Sequence, residues 1–376
     1  MLRQCCTDLP RLALVCVIAG LGSYMFRVVR ALLPGVKYAL LLVTGAVVGS
    51  VPAVAQPSHD WARCISQGKP LPPDVVIAGC TAVIHSGKET RSNLAIGYHN
   101  RGNAYYNKRE IDRAIADYTK AIEIDPIFAT AYYSRGNANY TNGEYDGAIA
   151  DFGKAIELQA KYANGHRGNT YTYPTMKNMI RSDPTFTFYF GRGAAYWAKG
   201  DYDSAIVDFT KVIHLEPKYP NAYIQRAKAH KAKGDLHSAR SDFNSAINLL
   251  NTAIKLQQNS AILYNNRGNV YSAKGDYDLA IADYTKAIKI DPKSAVAYNN
   301  RASAHTKAGN SAEALPDAEK ALELAPDVAY ALDTRGHIFE AMGRRDEAIR
   351  DFRRALAKDP NMQSSMDGLK RLGASP

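Results

Sequence analysis

Arginine and aspartate recur along this chain as partners at a fixed spacing. Arg101, Arg135, Arg192, Arg226, Arg267, Arg301 and Arg335 each precede an aspartate by sixteen positions: Asp117, Asp151, Asp208, Asp242, Asp283, Asp317 and Asp351. A guanidinium fork meets a carboxylate through two parallel hydrogen bonds, so such a pair can hold two segments in one register. The same arginines could instead form a row for an anionic ligand, but the matching carboxylates would neutralise it, which favours the structural use. The spacing leaves open whether each pair closes within one stretch or across to the next. No catalytic constellation accompanies the ladder. The nine histidines are scattered, and there is no His-Glu-x-x-His pair, no Gly-x-Ser-x-Gly elbow and no phosphate loop. The chain reads as no enzyme, with no cofactor and no catalytic residue.

The segments that must position these charges repeat every 34 residues, with unit starts at Ala95, Ala129, Phe186, Pro220, Ala261, Ala295 and Ala329. The eighth place is always small: Gly102, Gly136, Gly193, Ala227, Gly268, Ala302, Gly336. The twentieth is always alanine, from Ala114 to Ala348, and the twenty-fourth carries a ring in six units (Tyr118, Phe152, Phe209, Phe243, Tyr284, Phe352), with Ala318 the exception. A small residue facing a ring makes a knob and its hole. Gly143, Gly200, Gly234, Gly275, Gly309 and Gly343 stand where a first helix must stop, with Arg109 in that place in the first unit. Pro126, Pro217, Pro292, Pro326 and Pro360 turn the chain after the second helix.

This pattern resembles the tetratricopeptide repeat family over Ala95 to Met362. The resemblance implies an all-α, right-handed α-solenoid, a superhelix of antiparallel helix pairs whose core is a stripe between neighbours. It also implies a concave groove lined by first helices. On those helices stand Asn100, Asn103, Asn137, Asn265, Asn266, Asn269, Asn299 and Asn300, with rings at Tyr106, Tyr133, Tyr140, Phe190 and Trp197. Amides offer donor and acceptor to a peptide backbone and rings supply apolar area, so the expected ligand is a protein or an extended peptide. The row is similar to the asparagine ladder of O-linked GlcNAc transferases, with no catalytic domain following. A competing account is that Asn simply solvates the helix face. The Lys and Arg set that some family members use for C-terminal carboxylates is missing: Tyr330 and Thr334 stand in the last unit, and only Lys228 and Lys231 enrich the fourth.

Residues 1–55 differ in kind. Lys37 precedes the apolar run Tyr38 to Val54, which ends Ala53-Val54-Ala55 before Gln56, the pattern of a signal peptide, with Met25 placed as a conventional start. The alternative is an uncleaved membrane anchor. Either places the repeats outside the cytoplasm, in a bacterial periplasm or secreted, or facing the periplasm from the inner membrane. Formal charge is +11 over 376 residues, without a dense basic tract, so no nucleic-acid partner is expected. Cys64 and Cys80 remain after cleavage and are expected to form a disulfide across a helical hairpin. Two buried thiols, or a metal site with His59 and His85, are the alternatives, though the spacing of a metal site is lacking.

The expected organisation is therefore an export segment (1–55), a hairpin cap (56–94), units one and two (95–162) and a degenerate insertion (163–185) holding His166-Arg167-Gly168-Asn169. Units three and four (186–253), a helix extension (254–260), units five to seven (261–360) and a capping helix with tail (361–376) complete it. The functional expectation is a non-catalytic scaffold of the cell envelope. A membrane-anchored assembly factor, or the non-catalytic repeat subunit of an enzyme complex, are the alternatives.

Overall fold

The computed structural model is described over residues 59–66, 70–163, 185–326 and 328–375. The expected export segment 1–55 and nearly all of the insertion 163–185 lie outside the described residues. Two short helices lead, α1 (His59–Cys64) and α2 (Pro73–His85). Seven pairs follow: α3 (Arg91–Asn107) with α4 (Ile111–Ile124), α5 (Ala129–Thr141) with α6 (Tyr145–Ala163), α7 (Thr185–Lys199) with α8 (Tyr202–Leu215), and α9 (Pro220–Ala232) with α10 (Leu236–Leu256). Then come α11 (Ala261–Lys274) with α12 (Tyr277–Ile290), α13 (Ala295–Lys307) with α14 (Ser311–Leu324), and α15 (Ala329–Ala341) with α16 (Arg345–Lys358). A final helix, α17 (Gln363–Arg371), covers the last pair. Each helix packs on the next in chain order and no strand occurs among the described residues, so the fold is an all-α solenoid. No helix among the described residues is long and apolar enough to cross a membrane.

The turn between paired helices has one backbone solution. The glycines that stop the first helices sit at positive φ, from 73° at Gly343 to 99° at Gly275, and Arg109 takes the same left-handed conformation at 63°. Inside six of the seven pairs the small eighth residue admits the ring. A methyl group on Gly336 would come within 2.6 Å of the Phe352 ring, and one on Gly268 within 2.7 Å of the Tyr284 ring. These rings are among the largest fully buried side chains, and the alanines of the twentieth place, such as Ala114, Ala205 and Ala280, are wholly buried around them. Burying one such ring stabilises by about 1.5–3 kcal/mol.

Phe352 shows how the array is closed. Gly336 faces it from α15, and Gly368 on α17 faces its other edge, where an added methyl would also come within 2.6 Å. The capping helix thus repeats the glycine contact that the next unit would make, as Gly191 on α7 does to Phe152.

Three boundaries move from the sequence-based expectation. The first repeat helix starts at Arg91, one turn before Ala95, because the Thr90 hydroxyl accepts the Asn93 backbone N–H at 3.2 Å and caps it there. The expected extension at 254–260 is helical only to Leu256, and the following residues turn toward Ser260, which caps α11. The hairpin helices, expected over Asp60 to Gln67 and Asp74 to Ser86, end at Cys64 and His85. Within α10 the buried stripe Ala246, Ile247, Leu250 and Ile254 runs on unbroken, since seven residues are nearly two turns and return to almost the same face.

Candidate peptide groove

The ladder closes within units. Each arginine donates through Nε and Nη2 to the two carboxylate oxygens of the aspartate sixteen residues on, at 2.6–3.0 Å in all seven units. The aspartates are buried, and the hydrogen bond to each raises the arginine pKa above its ordinary value. The remaining nitrogen, Nη1, reaches backward. Arg135, Arg226 and Arg301 donate from it to Thr119, Thr210 and Thr285 on the preceding second helix, at 3.0–3.2 Å, and Arg267 donates to Asn251 at 2.7 Å. Each of these guanidiniums ties three helices together, so the row is bonded internally instead of offering itself to an anion.

Arg101 makes the same backward bond to Thr81 on α2, at 3.1 Å. The hairpin cap therefore occupies the place of a preceding second helix, which the sequence did not signal because the spacing there differs. Cys64 and Cys80 form the expected disulfide, with Cα atoms 4.5 Å apart and both residues buried, and it fastens α1 to α2.

The predicted groove residues divide by what their amides already do. Asn103 and Asn269, at the ninth place, accept hydrogen bonds from the hydroxyls of Tyr118 and Tyr284 at 2.8 Å. Asn300 donates to Asn265 at 3.0 Å and to Asn269 at 3.1 Å, a link between successive first helices. Asn266 is exposed. Asn100 and Asn299 are buried, at 9% and 7% exposure, so the expectation that they project from an open face does not hold. Their neighbouring helices close over them, and Asn100 Nδ2 and Asn299 Oδ1 have no hydrogen-bond partner among the described residues. Beside Asn100, His99 is buried between the Tyr118 and Phe128 rings and shares a 3.0 Å hydrogen bond with the Ser134 hydroxyl. Burial lowers its pKa to about 4.

Asn137 differs from its counterparts. Its unit carries Phe152 where the units of Asn103 and Asn269 have Tyr, so the paired ring offers its amide no hydroxyl, and Asn137 lines a cavity of about 320 Å³. Tyr133, Tyr140 and Phe190, all expected, line the same cavity, joined by Phe152, Phe186 and Tyr219. The rings hold one another in place. Tyr133 packs against Phe188 at 5.0 Å, and Phe190 packs against Tyr219 at 5.6 Å. Phe186 and Tyr219 were not anticipated; the available signal was an aromatic in the turn after Pro217 and another at a unit start. Trp197 is 40% exposed, pairs with Tyr202 and lies outside that lining. Lys228 is half-buried.

Two further cavities sit along the array. One of about 340 Å³ lies between the hairpin and α3, lined by Cys64, Leu71, Val76, Asn100, Asn103 and Asn107. The other, about 590 Å³, is lined by the polar residues Ser303, Thr306, Lys307, Asp333, His337, Glu340 and Arg371. There Arg371 on α17 donates two 2.8 Å bonds to Glu340, and the Ser365 hydroxyl donates to Asp333 at 2.6 Å. This cavity went unanticipated, since none of its residues forms a motif. Among the described residues there is no group of three or more His, Cys, Asp or Glu able to hold a metal ion.

Stacked helix pairs with cavities along their first helices, one ringed and one lined by amides, define a protein-interaction repeat scaffold. Models of the tetratricopeptide repeat match residues 129–162, 187–219 and 261–294, and residues 293–361, while a model of the TPR repeat matches 102–143 and 234–275. The chain belongs to the tetratricopeptide repeat family. No curated protein matches it significantly. A tetratricopeptide repeat protein from Parabacteroides merdae is similar in fold at 18% identity and a TM-score of 0.52, over 76% of this chain and all of that one. The first TPR domain of human RPAP3 is 33% identical over 30% of this chain and 89% of its own, with a TM-score of 0.30. A TPR protein of Thermus thermophilus, TTC0263, is 21% identical over 50% of this chain and 97% of its own, with a TM-score of 0.39.

Proposed function

We propose that this chain is an exported, non-catalytic scaffold of the cell envelope that binds a protein partner as an extended segment along the first helices. The observation that carries this reading is the cavity of Tyr133, Asn137, Tyr140 and Phe190, where rings that pack on one another surround an amide that no side chain among the described residues engages. An extended segment presents a backbone carbonyl and N–H that one amide can satisfy together, while its side chains fill the ringed space. Export is supported by the apolar run before Gln56.

Photo-cross-linkers placed at Tyr140 and Asn137 in living cells test the binding mode. The expected result is a partner trapped at both positions and absent from a probe at Val207, which is exposed on α8 outside the cavity lining. An identical catch from all three probes overturns it. Amino-terminal sequencing of the purified protein tests export, with Gln56 the expected first residue; a chain that keeps Tyr38 to Val54 supports the membrane-tethered alternative instead.

A further inference from the structure

The ninth place of the repeat is where the array meets its cavities. Asn103, Asn137, Ala194, Ser303 and His337 hold that place in five units, and every one of them lines a cavity. The remaining two are Asn269, exposed and bonded to Asn300, and Lys228. Lys228 is thus the one ammonium in a column of neutral or weakly basic groups.

Its surroundings leave it unmatched. The other lysines at the end of α9 and in its turn are engaged: Lys231 donates to the Ala273 carbonyl at 3.0 Å, and Lys233 pairs with Asp203. Lys228 has no hydrogen bond and no ion pair among the described residues, although its side chain is half-buried. Burial lowers its pKa, with no carboxylate to offset the desolvation. The ninth-place neighbours on either side, Ala194 and Asn269, carry no negative charge. A half-desolvated cation without a counter-charge favours an anion brought by a ligand.

The anion's type follows from position. Binding features lie on both sides of Lys228: the ringed cavity before it, and the amides of Asn265, Asn269 and Asn300 after it. A ligand that uses both passes over the lysine instead of ending there, so the charge belongs on a side chain. First helices of neighbouring units pack about 8–10 Å apart, which sets Lys228 about 15 Å from the middle of the ringed cavity. An extended chain covers that in about five residues.

We propose that Lys228 reads an acidic side chain, Asp or Glu, on an extended polypeptide, about five residues from an apolar side chain seated in the ringed cavity. This rests on the binding mode proposed above and adds its specificity. The source of selectivity is the mismatch itself: a neutral segment leaves the half-buried ammonium unpaired.

The test uses N-acetylated, C-terminally amidated dodecapeptides carrying a fixed Phe and, five positions away in either direction, Glu or Gln, the other positions randomised. Selected on the full chain, the Glu series should enrich, and Glu-to-Gln exchange in the winners should weaken binding about tenfold or more. Lys228→Met should erase that difference while leaving the dependence on Phe, and should keep or raise the thermal midpoint because it removes a desolvated charge. Lys228→Gln provides the second variant if the Met form fails to fold. Undiminished preference for Glu in the Lys228 variants overturns the assignment, as does binding that appears only with a free C-terminal carboxylate. Failure of every peptide, Glu or Gln, on the folded wild-type chain overturns the groove itself, and is distinguishable from loss of the Glu preference alone.

Discussion

At the residue scale, two positions have measurable consequences, one where the chain departs from its repeat and one where a histidine is buried. Arg109 holds a left-handed conformation that glycine takes at the same point of the six other units. A side chain there costs about 1–2 kcal/mol, partly offset by the greater freedom of glycine in the unfolded chain. Arg109→Gly should therefore raise stability by about 0.5–1 kcal/mol, seen as a higher denaturant midpoint with unchanged slope. His99 is the second. Its folded pKa of about 4 lies below the ordinary 6.5, so the unfolded chain binds the proton first as pH falls. Stability is then full above pH 6.5 and declines between 6.5 and 4, by about 2 kcal/mol at pH 5. His99→Gln should flatten that part of the pH profile, measured by unfolding at pH 7 and pH 5; an unchanged profile refutes the buried neutral ring as its cause. The asparagines show what was not legible at this scale. The residue type placed Asn103, Asn137 and Asn269 together, but whether an amide is free depends on a ring hydroxyl fifteen residues on, Tyr or Phe. That coupling is written in the chain at Tyr118, Phe152 and Tyr284, and becomes readable only once the two helices are known to touch.

At the scale of helices, most of the punctuation was legible and most of the cross-connections were not. Glycine and proline at fixed places announce the turns because backbone conformation is a local property. The direction of the arginine ladder is not local: a pair sixteen residues apart is compatible with several helix arrangements. The third contact, Nη1 to the preceding helix, falls on Thr119, Thr210, Asn251 and Thr285, residue types that sequence gives no reason to connect with arginine. The hairpin cap was legible as two helices and a disulfide, but its use of Thr81 as the first rung was not. From this follows a prediction about the cap. The disulfide closes a loop with a sequence separation of 16, worth about 3 kcal/mol against the unfolded chain. Reduction should release α1 and α2, exposing the Thr81–Arg101 contact and the Asn100 cavity, while α5 to α17 stay folded. Hydrogen exchange with and without reductant checks it: protection should fall in α1 to α3 and hold beyond α5. Uniform loss would mean that the cap supports the whole array.

At the scale of the molecule, contacts among the described helices run between neighbours along the array, without a central core whose failure would unfold all of them. Stability is then a chain of local terms, each a small residue and a bonded arginine with, in six units, a ring, and damage to one term should stay where it is made. Phe209 is the suitable probe. It is completely buried, packs beside Phe190, and faces Gly193 across the pair interface, where an added methyl group would approach its ring to 2.9 Å. Phe209→Ala empties that hole at a cost of about 3–5 kcal/mol. The neighbours on both sides keep their own rings, Phe152 and Phe243, and their own arginine pairs. Native-state hydrogen exchange should accordingly lose protection in α7 to α9, with α3 to α5 and α11 to α16 retaining theirs, and thermal unfolding should broaden into two stages. The ringed cavity shares Phe190 with the damaged pair, so peptide binding should fall even though distant units remain folded. A variant that loses protection evenly from α3 to α16, in one sharp transition, would show coupling far beyond nearest neighbours and would contradict the local stacking on which the groove depends.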